Sequence, residues 1–426
     1  MKRPHQIPSA IALVLVLVLI PACKVFRELG DDLKFMEKTS VVTARVSNAD
    51  HYRGIYGLVM EWDPVKGVMN SADYARTEGI GIFGFVVKSR ENQYVGAFSD
   101  SNKDGMYEPG EPAWIHSDAT GRPVPVDFKA RVEGALSPST ILPPDLIAAG
   151  KAMRNGRSMA EVATGWQIPI SLGTVADLDD PKFAAESGAD GLWHPASFPL
   201  KSGIGIYFLE RYDPNRTPVL FVYGAAGSPQ DWRTVFRKLD QKRFQIWFYQ
   251  YPSGRHLDEM GRAMNRGVEV LQGYYKFKRL YVVAHSMGGL VSREAILGNL
   301  DDGNRYIKKF VSISSPYGGH EFAGMGVKRA PSVVPSWYDM EIGSPFLNQL
   351  FEHRLKGKVE HLLIYGDKAK RSVILPVEND GTVSVESVTR PEAVNDALRV
   401  EHYPENHVSI LSNPQVIRSV QDFLGE

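Results

Sequence analysis

Ser286 lies in the stretch Leu280-Tyr281-Val282-Val283-Ala284-His285-Ser286-Met287-Gly288-Gly289-Leu290-Val291. The apolar run Leu280–Val283 reads as a buried strand. Leu290, Val291, Ala295 and Ile296 then fall at the spacing of a helix face. A serine at such a strand-to-helix turn projects its hydroxyl beyond the strand, facing the positive end of the helix. The turn crowds the positions two before and two after the serine, and Ala284 and Gly288 are small enough to fit. The chemistry such a serine serves is nucleophilic attack on a carbonyl, which needs three kinds of partner: a base, an acid to orient the base, and N–H donors for the oxyanion.

Each partner has a candidate in the chain. Tyr223-Gly224-Ala225-Ala226-Gly227-Ser228 follows the apolar run Pro218–Tyr223. Its glycines allow close backbone approach, so the N–H groups of Ala225 and Met287 are the candidate oxyanion donors. For the acid, Asp380 in Asn379-Asp380-Gly381-Thr382-Val383 is favoured over Asp367 in Tyr365-Gly366-Asp367. For the base, His407 in a loop before the terminal helix is favoured over His402 at the edge of the last strand. His285 reads as a packing residue of the turn.

The elements that must position these residues follow a regular alternation. Strand-like runs fall at 204–209, 218–223, 244–249, 280–283, 307–313, 359–365 and 398–401, and helical spacing at 258–275 and 416–424. Strands alternating with helices predict a mainly parallel sheet covered on both faces, with its site at the C-terminal strand ends. After Ser314-Ser315-Pro316-Tyr317-Gly318-Gly319 comes an apolar and aromatic insertion with Phe322, Met325, Val333, Val334, Trp337 and Tyr338. It reads as a packed cap helix or as a lid.

The 426 residues are 43% hydrophobic and 23% charged, with no net charge, a composition of globular domains that gives no argument for nucleic acid as a partner. Lys2 and Arg3 precede an aliphatic run from Ile11 to Ile20, too short for a membrane span and fitting a signal peptide over 1–22. Leu19-Ile20-Pro21-Ala22 before Cys23, the single cysteine, resembles a lipobox. That resemblance implies lipidation of Cys23, a tether over 23–39, and a membrane partner at the bacterial cell envelope. Lys24 resembles the residue that follows the cysteine in lipoproteins sent to the outer membrane.

Residues 40–130 carry short alternating strands and turn residues, as in Val42, Ala44 and Val46, and predict a small β-sandwich. Its stretch from Gly81 to Glu111 resembles transthyretin-like accessory modules. Within it, Asp100, Asn102, Asp104, Met106 and Glu111 match the spacing of a calcium loop, D-x-N-x-D-G-x5-E. Pro109 and Pro112 exclude an EF-hand helix after it. The stretch is either a structural calcium loop or an Asp/Asn/Gly turn that satisfies its own backbone. Residues 131–200 read as a connecting segment, and 201–426 as the catalytic domain.

Ala284-His285-Ser286-Met287-Gly288-Gly289, Tyr223-Gly224-Ala225-Ala226-Gly227, Asn379-Asp380-Gly381 and His407 together resemble the α/β-hydrolase fold. The likeness is to the lipase and esterase branch that includes PGAP1-like and triacylglycerol-lipase-like proteins. That resemblance implies a hydrolase needing no cofactor for catalysis, acting on acyl esters or lipids with Ser286 as nucleophile, His407 as base and Asp380 as its orienting acid. Two positions depart from the branch: Tyr223 stands where lipases usually have His, and Ala284 where the first Gly of the elbow is usual. An amidase, peptidase or acyltransferase with the same triad, and a non-catalytic surface-binding lipoprotein, are the alternative readings.

Overall fold

The computed structural model describes residues 24–77, 79–88, 91–128, 130–154, 167–371 and 375–426. The signal-peptide stretch 1–22 and Cys23 lie outside the described residues.

The segment read as a tether is mostly one helix, α1, over 24–37, and it is docked rather than loose. Its Leu29 is fully buried against Leu192 and Val334. After it, the alternation in 40–46 forms β1 (Ser40–Val46), which pairs with β4 (Ile82–Val87) and with β7 (Val132–Gly134). A second sheet runs in the order β3 (Val68–Thr77), β2 (Ile55–Asp63), β5 (Gln93–Ser99) and β6 (Ala113–Ile115). Val42, Phe83 and Phe85 from one sheet meet Ile55, Val59, Val95 and Ala97 from the other in one core, which makes this a β-sandwich. The four-stranded sheet is covered on its outer face too, by Leu142 and Leu146 at α2 (Pro144–Arg154). That second cover explains why β2 and β5 read as continuous apolar runs instead of clean alternations.

The main sheet has eight strands in the order β15-β14-β13-β12-β10-β11-β9-β8. They are β8 (Ile170–Val175), β9 (Ile204–Phe208), β10 (Thr217–Val222), β11 (Phe244–Gln250), β12 (Leu280–His285), β13 (Ile307–Ile313), β14 (Glu360–Gly366) and β15 (Arg399–Tyr403). All pairings are parallel except that of β9 with β11. The domain limits therefore differ from the sequence reading at two points. β7 begins inside the supposed connecting segment yet belongs to the sandwich, and β8 lies in the middle of that segment yet closes one edge of the main sheet. The next helix, α3 (Ala185–Trp193), also comes from it.

Helices cover both faces of the sheet. On one side α4 (Leu257–Tyr275) buries Met260, Met264, Val268 and Leu271, and α5 (Gly288–Asp301) buries Leu290, Val291, Ala295 and Ile296. After α5, α6 (Glu321–Arg329) and α7 (Pro335–Met340) form a short hairpin beyond β13. On the other face α8 (Pro414–Gly425) buries Val416, Ile417, Val420, Phe423 and Leu424. Val282 and Val283 of β12 are fully buried, one toward each face. Each such side chain contributes about 1.5–3 kcal/mol by its burial. This anchoring makes β12 a rigid base for the turn that follows it. The doubly covered parallel sheet with its strand–serine–helix turn is the α/β-hydrolase fold, preceded here by an all-β sandwich.

Candidate active site

Ser286 follows β12 directly and takes φ 54°, a left-handed conformation that side chains other than glycine seldom adopt. Such a residue costs on the order of 1–3 kcal/mol and persists only where its surroundings fix it. Here Ser286 N–H donates to Ile313 O at 2.8 Å, and Gly289 N–H donates to Ser286 O at 2.9 Å. A Cβ on Gly288 would lie 2.4 Å from Tyr223 O, and one on Gly289 would lie 2.0 Å from Ser315 Oγ. Both glycines are thus required by close approach, as the sequence reading expected for Gly288.

The structure brings Ser286, His407 and Asp380 together. His407 Nε2 lies 2.9 Å from Ser286 Oγ, and His407 Nδ1 lies 2.7 Å from Asp380 Oδ2. All three residues are buried. Asp380 Oδ1 accepts N–H groups from Thr382 at 3.0 Å and Val383 at 2.8 Å. Burial alone would raise the pKa of this carboxyl. The hydrogen bond and charge of His407, with the two backbone donors, outweigh burial and hold it below the ordinary carboxylate value. An ionised acceptor at Nδ1 fixes the proton there and leaves Nε2 free to take one from the serine.

Asp367 and His402, the rival acid and base, pair with each other at 2.9 Å. They sit partly exposed, and neither is bonded to Ser286. Both stand at the ends of neighbouring strands, β14 and β15. This explains why chain position alone could not separate them from Asp380 and His407.

The candidate oxyanion donors are also in place. A Cβ on Gly224 would lie 2.7 Å from Ser286 Cβ, so the loop after β10 passes directly over the serine. Among the described residues neither Ala225 N–H nor Met287 N–H donates a hydrogen bond. Two unsatisfied donors beside a nucleophile are what an oxyanion requires. Tyr223 braces this loop. Its hydroxyl donates to Tyr251 O at 2.6 Å and accepts Tyr251 N–H at 2.8 Å, while Tyr251 OH donates to Tyr223 O at 2.6 Å. The two rings stack at 4.7 Å. Ala226 N–H donates to Ser253 Oγ at 3.0 Å, and Asp231 accepts Ser228 N–H at 2.8 Å.

Sequence reasoning missed Tyr251 and Ser253, which follow β11, and it undervalued His285. His285 Nε2 lies 2.8 Å from His407 O, so its N–H clamps the backbone of the base while the rings lie 4.6 Å apart. Burial, aided by the neighbouring His407, pushes His285 down to about 3, and it stays neutral as a donor. His320 at the start of α6 is pushed down to about 4 by burial and by His407. The run Tyr251-Pro252-Ser253-Gly254 at a parallel strand's C-terminal end was the one sequence signal available for the missed pair.

The loop matching a calcium pattern uses its oxygens on itself. Asp100 Oδ2 accepts Gly105 N–H, Asn102 Oδ1 accepts Asp104 N–H, and Asp104 Oδ1 accepts Met106 N–H. Glu111 accepts Ser101 N–H at 2.7 Å and Glu108 N–H at 3.1 Å. Asp100 Oδ1 is buried without a partner. No group of three or more His, Cys, Asp or Glu side chains among the described residues could hold a metal ion. The turn reading accounts for these contacts.

Residues 255–426, which contain Ser286, Asp380 and His407, match the profile of a protein family described as "Alpha/beta hydrolase of unknown function (DUF915)". Similar solved structures include a lipase from Bacillus licheniformis in its mature form, 17% identical over 50% of this chain and 94% of that one, with a TM-score of 0.42. Lipase B from Aspergillus fumigatus is 16% identical over 52% of this chain and 56% of that one, with a TM-score of 0.41. Phospholipase PlaB from Legionella pneumophila is 16% identical over 40% of this chain and 44% of that one, with a TM-score of 0.34. No curated protein matches the sequence.

Proposed function

We propose that the chain is a serine hydrolase of carboxylic esters. The observation that carries this reading is the continuous relay from Ser286 Oγ through His407 to Asp380, with hydrogen bonds of 2.9 and 2.7 Å, beside two unused backbone N–H groups. His407 Nε2 takes the Ser286 proton as Oγ attacks the acyl carbonyl. The N–H groups of Ala225 and Met287 hold the oxyanion, and His407 gives its proton to the departing alcohol. Water, deprotonated by His407, then releases the acid and restores Ser286. Asp380 keeps the imidazole in one tautomer and stabilises its charged form.

The reading extends to where the enzyme works. The basic start, the Ile11–Ile20 run and Cys23 support export and acylation at Cys23, in the manner of an envelope lipoprotein. Among the described residues no helix is long and apolar enough to cross a membrane. A diacylglyceryl group found on Cys23 by mass spectrometry of the mature protein would support the anchor, and an unmodified thiol would contradict it.

The activity is tested with p-nitrophenyl esters of graded acyl length beside a matched p-nitroanilide. The expected result is ester turnover well above that of the anilide, falling by about 10⁴-fold or more in Ser286→Ala. An anilide turned over faster than its ester would move the reading to an amidase, and ester turnover unchanged in Ser286→Ala would remove it.

A further inference from the structure

The first helix and the hairpin after β13 meet beside the oxyanion loop. Leu29 of α1 packs with Leu192 and Val334, and Phe26, Leu33, Trp193, Trp337 and Ala226 close around them. Phe26 meets Trp193 edge-on at 5.6 Å, and Trp193 meets Trp337 edge-on at 5.8 Å. Asp32 fixes the helix in place by accepting N–H groups from Ala196 at 2.7 Å and Ser197 at 3.1 Å. Ala226 follows Ala225 in the loop over Ser286. The helix whose described part covers residues 24–37 is therefore built into the wall of the site.

The same wall carries exposed apolar side chains that nothing among the described residues covers. On the hairpin, Phe322 is 39% exposed, Met325 37%, Tyr338 49% and Ile342 60%. Phe322 and Met325 stand one helical turn apart on α6. Ile342 is held against the hairpin's start, where a Cβ on Gly319 would lie 2.7 Å from its Cα. His320, one residue on from Gly319, caps the start of α6 by accepting Ala323 N–H at 3.4 Å, and Val408 beside His407 in the chain is 72% exposed. Exposed apolar residues elsewhere fall in smaller sets, such as Val65 with Val68 and Leu398 with Val400. Four exposed apolar residues gathered on one hairpin mark an interaction surface.

We propose that this face, formed by the hairpin 320–342, Val408 and the start of α1, sits on a lipid bilayer, and that α1 is the strut setting the distance from the anchor to Ser286. What selects a bilayer as the occupant is the adjoining chain. Cys23, the residue proposed for acylation, directly precedes α1 in the chain, so an acyl anchor on it would tether α1 and the hairpin packed against α1 to a membrane. The acyl ester then reaches Ser286 from the membrane plane. That use of the face rests on the hydrolase reading, whereas the surface itself does not.

Hydrogen–deuterium exchange of the full chain, with and without phosphatidylethanolamine–phosphatidylglycerol vesicles, tests the surface. Protection is expected at 320–342 and absent at the 64–67 turn of the sandwich. No protection at 320–342, equal protection of both segments, or protection that follows protein concentration without vesicles would overturn the proposal, the last by showing a second copy on the face. In parallel, Met325→Asp/Tyr338→Asp should lower turnover of a long-chain ester embedded in the vesicles by about tenfold or more, with turnover of a soluble short-chain ester unchanged. Equal loss on both substrates would overturn the delivery role. A parent protein inactive on both would remove the hydrolase reading, while exchange would still decide the surface.

Discussion

At the scale of residues, two acid–histidine pairs stand at the C-terminal edge of the sheet, and only one of them meets the serine. Asp380→Asn should lower kcat by about 10³–10⁴-fold, because the amide would leave the wrong imidazole tautomer facing Ser286. Asp367→Asn should leave kcat within about twofold, since its partner His402 is not bonded to the serine. Steady-state kinetics on one soluble ester separates the two, and a large loss in the Asp367 variant would reverse the assignment. Tyr223→Phe tests the brace of the oxyanion loop. It leaves Tyr251 N–H and O without their partner, at a cost of about 1–3 kcal/mol in a urea melt. It should also lower kcat more than it raises KM, because the loop's N–H groups act on the oxyanion rather than on the bound ester. A stability loss with unchanged kcat would show that the loop holds its shape without the tyrosine. The serine turn and its partners were legible in the sequence because each is a local pattern of small residues, turns and strand ends. His285, Tyr251 and Ser253 act on partners 122, 28 and 27 residues away, and no local pattern encodes such contacts.

At the scale of elements, what was legible was what had a period. β13 matches its expected range residue for residue, and β9 to β12 fall within a few residues of theirs. β3 was missed because its outer half, Val68–Ala72, is exposed or half-exposed and groups its apolar and polar residues in pairs, so no alternation marks it. β8 is an edge strand with no fully buried residue, and its place in the sheet depends on β9 alone. α1 was read as a tether because its single fully buried side chain, Leu29, meets residues more than 150 positions later. The loop from Asp100 to Glu111 makes a prediction at this scale. Its side chains already accept its own backbone N–H groups, so calcium or a chelator should shift the thermal midpoint by less than about 2 °C. A calcium-dependent rise of many degrees in a calorimetric scan would instead make Asp100 Oδ1, the buried oxygen without a partner, a cation ligand.

At the scale of the whole molecule, buried histidines couple stability to pH. Burial holds His285 and His361 down to about 3 and His320 to about 4, against an ordinary value of 6.5. The unfolded chain therefore takes up these protons first as the pH falls. The stability they contribute is complete above pH 6.5 and is lost progressively as the pH drops toward 4. Asp380, held below its usual range, adds a further loss at the acidic end. The thermal midpoint should fall steadily between pH 7 and pH 4.5, and a midpoint flat over that range would mean that the histidines are solvated in the folded protein. The sandwich, the docked first helix and the hydrolase sheet share buried contacts, so Ser286 has a fixed position relative to α1.

The central claim is that Ser286 is a nucleophile activated by His407. The most direct measurement is labelling of the purified protein with a fluorophosphonate, followed by mapping of the modified residue by mass spectrometry. One adduct is expected, on Ser286, that disappears in Ser286→Ala and forms on the order of a thousandfold more slowly in His407→Ala. An adduct on another residue, or labelling of Ser286 at the same rate without His407, would contradict it.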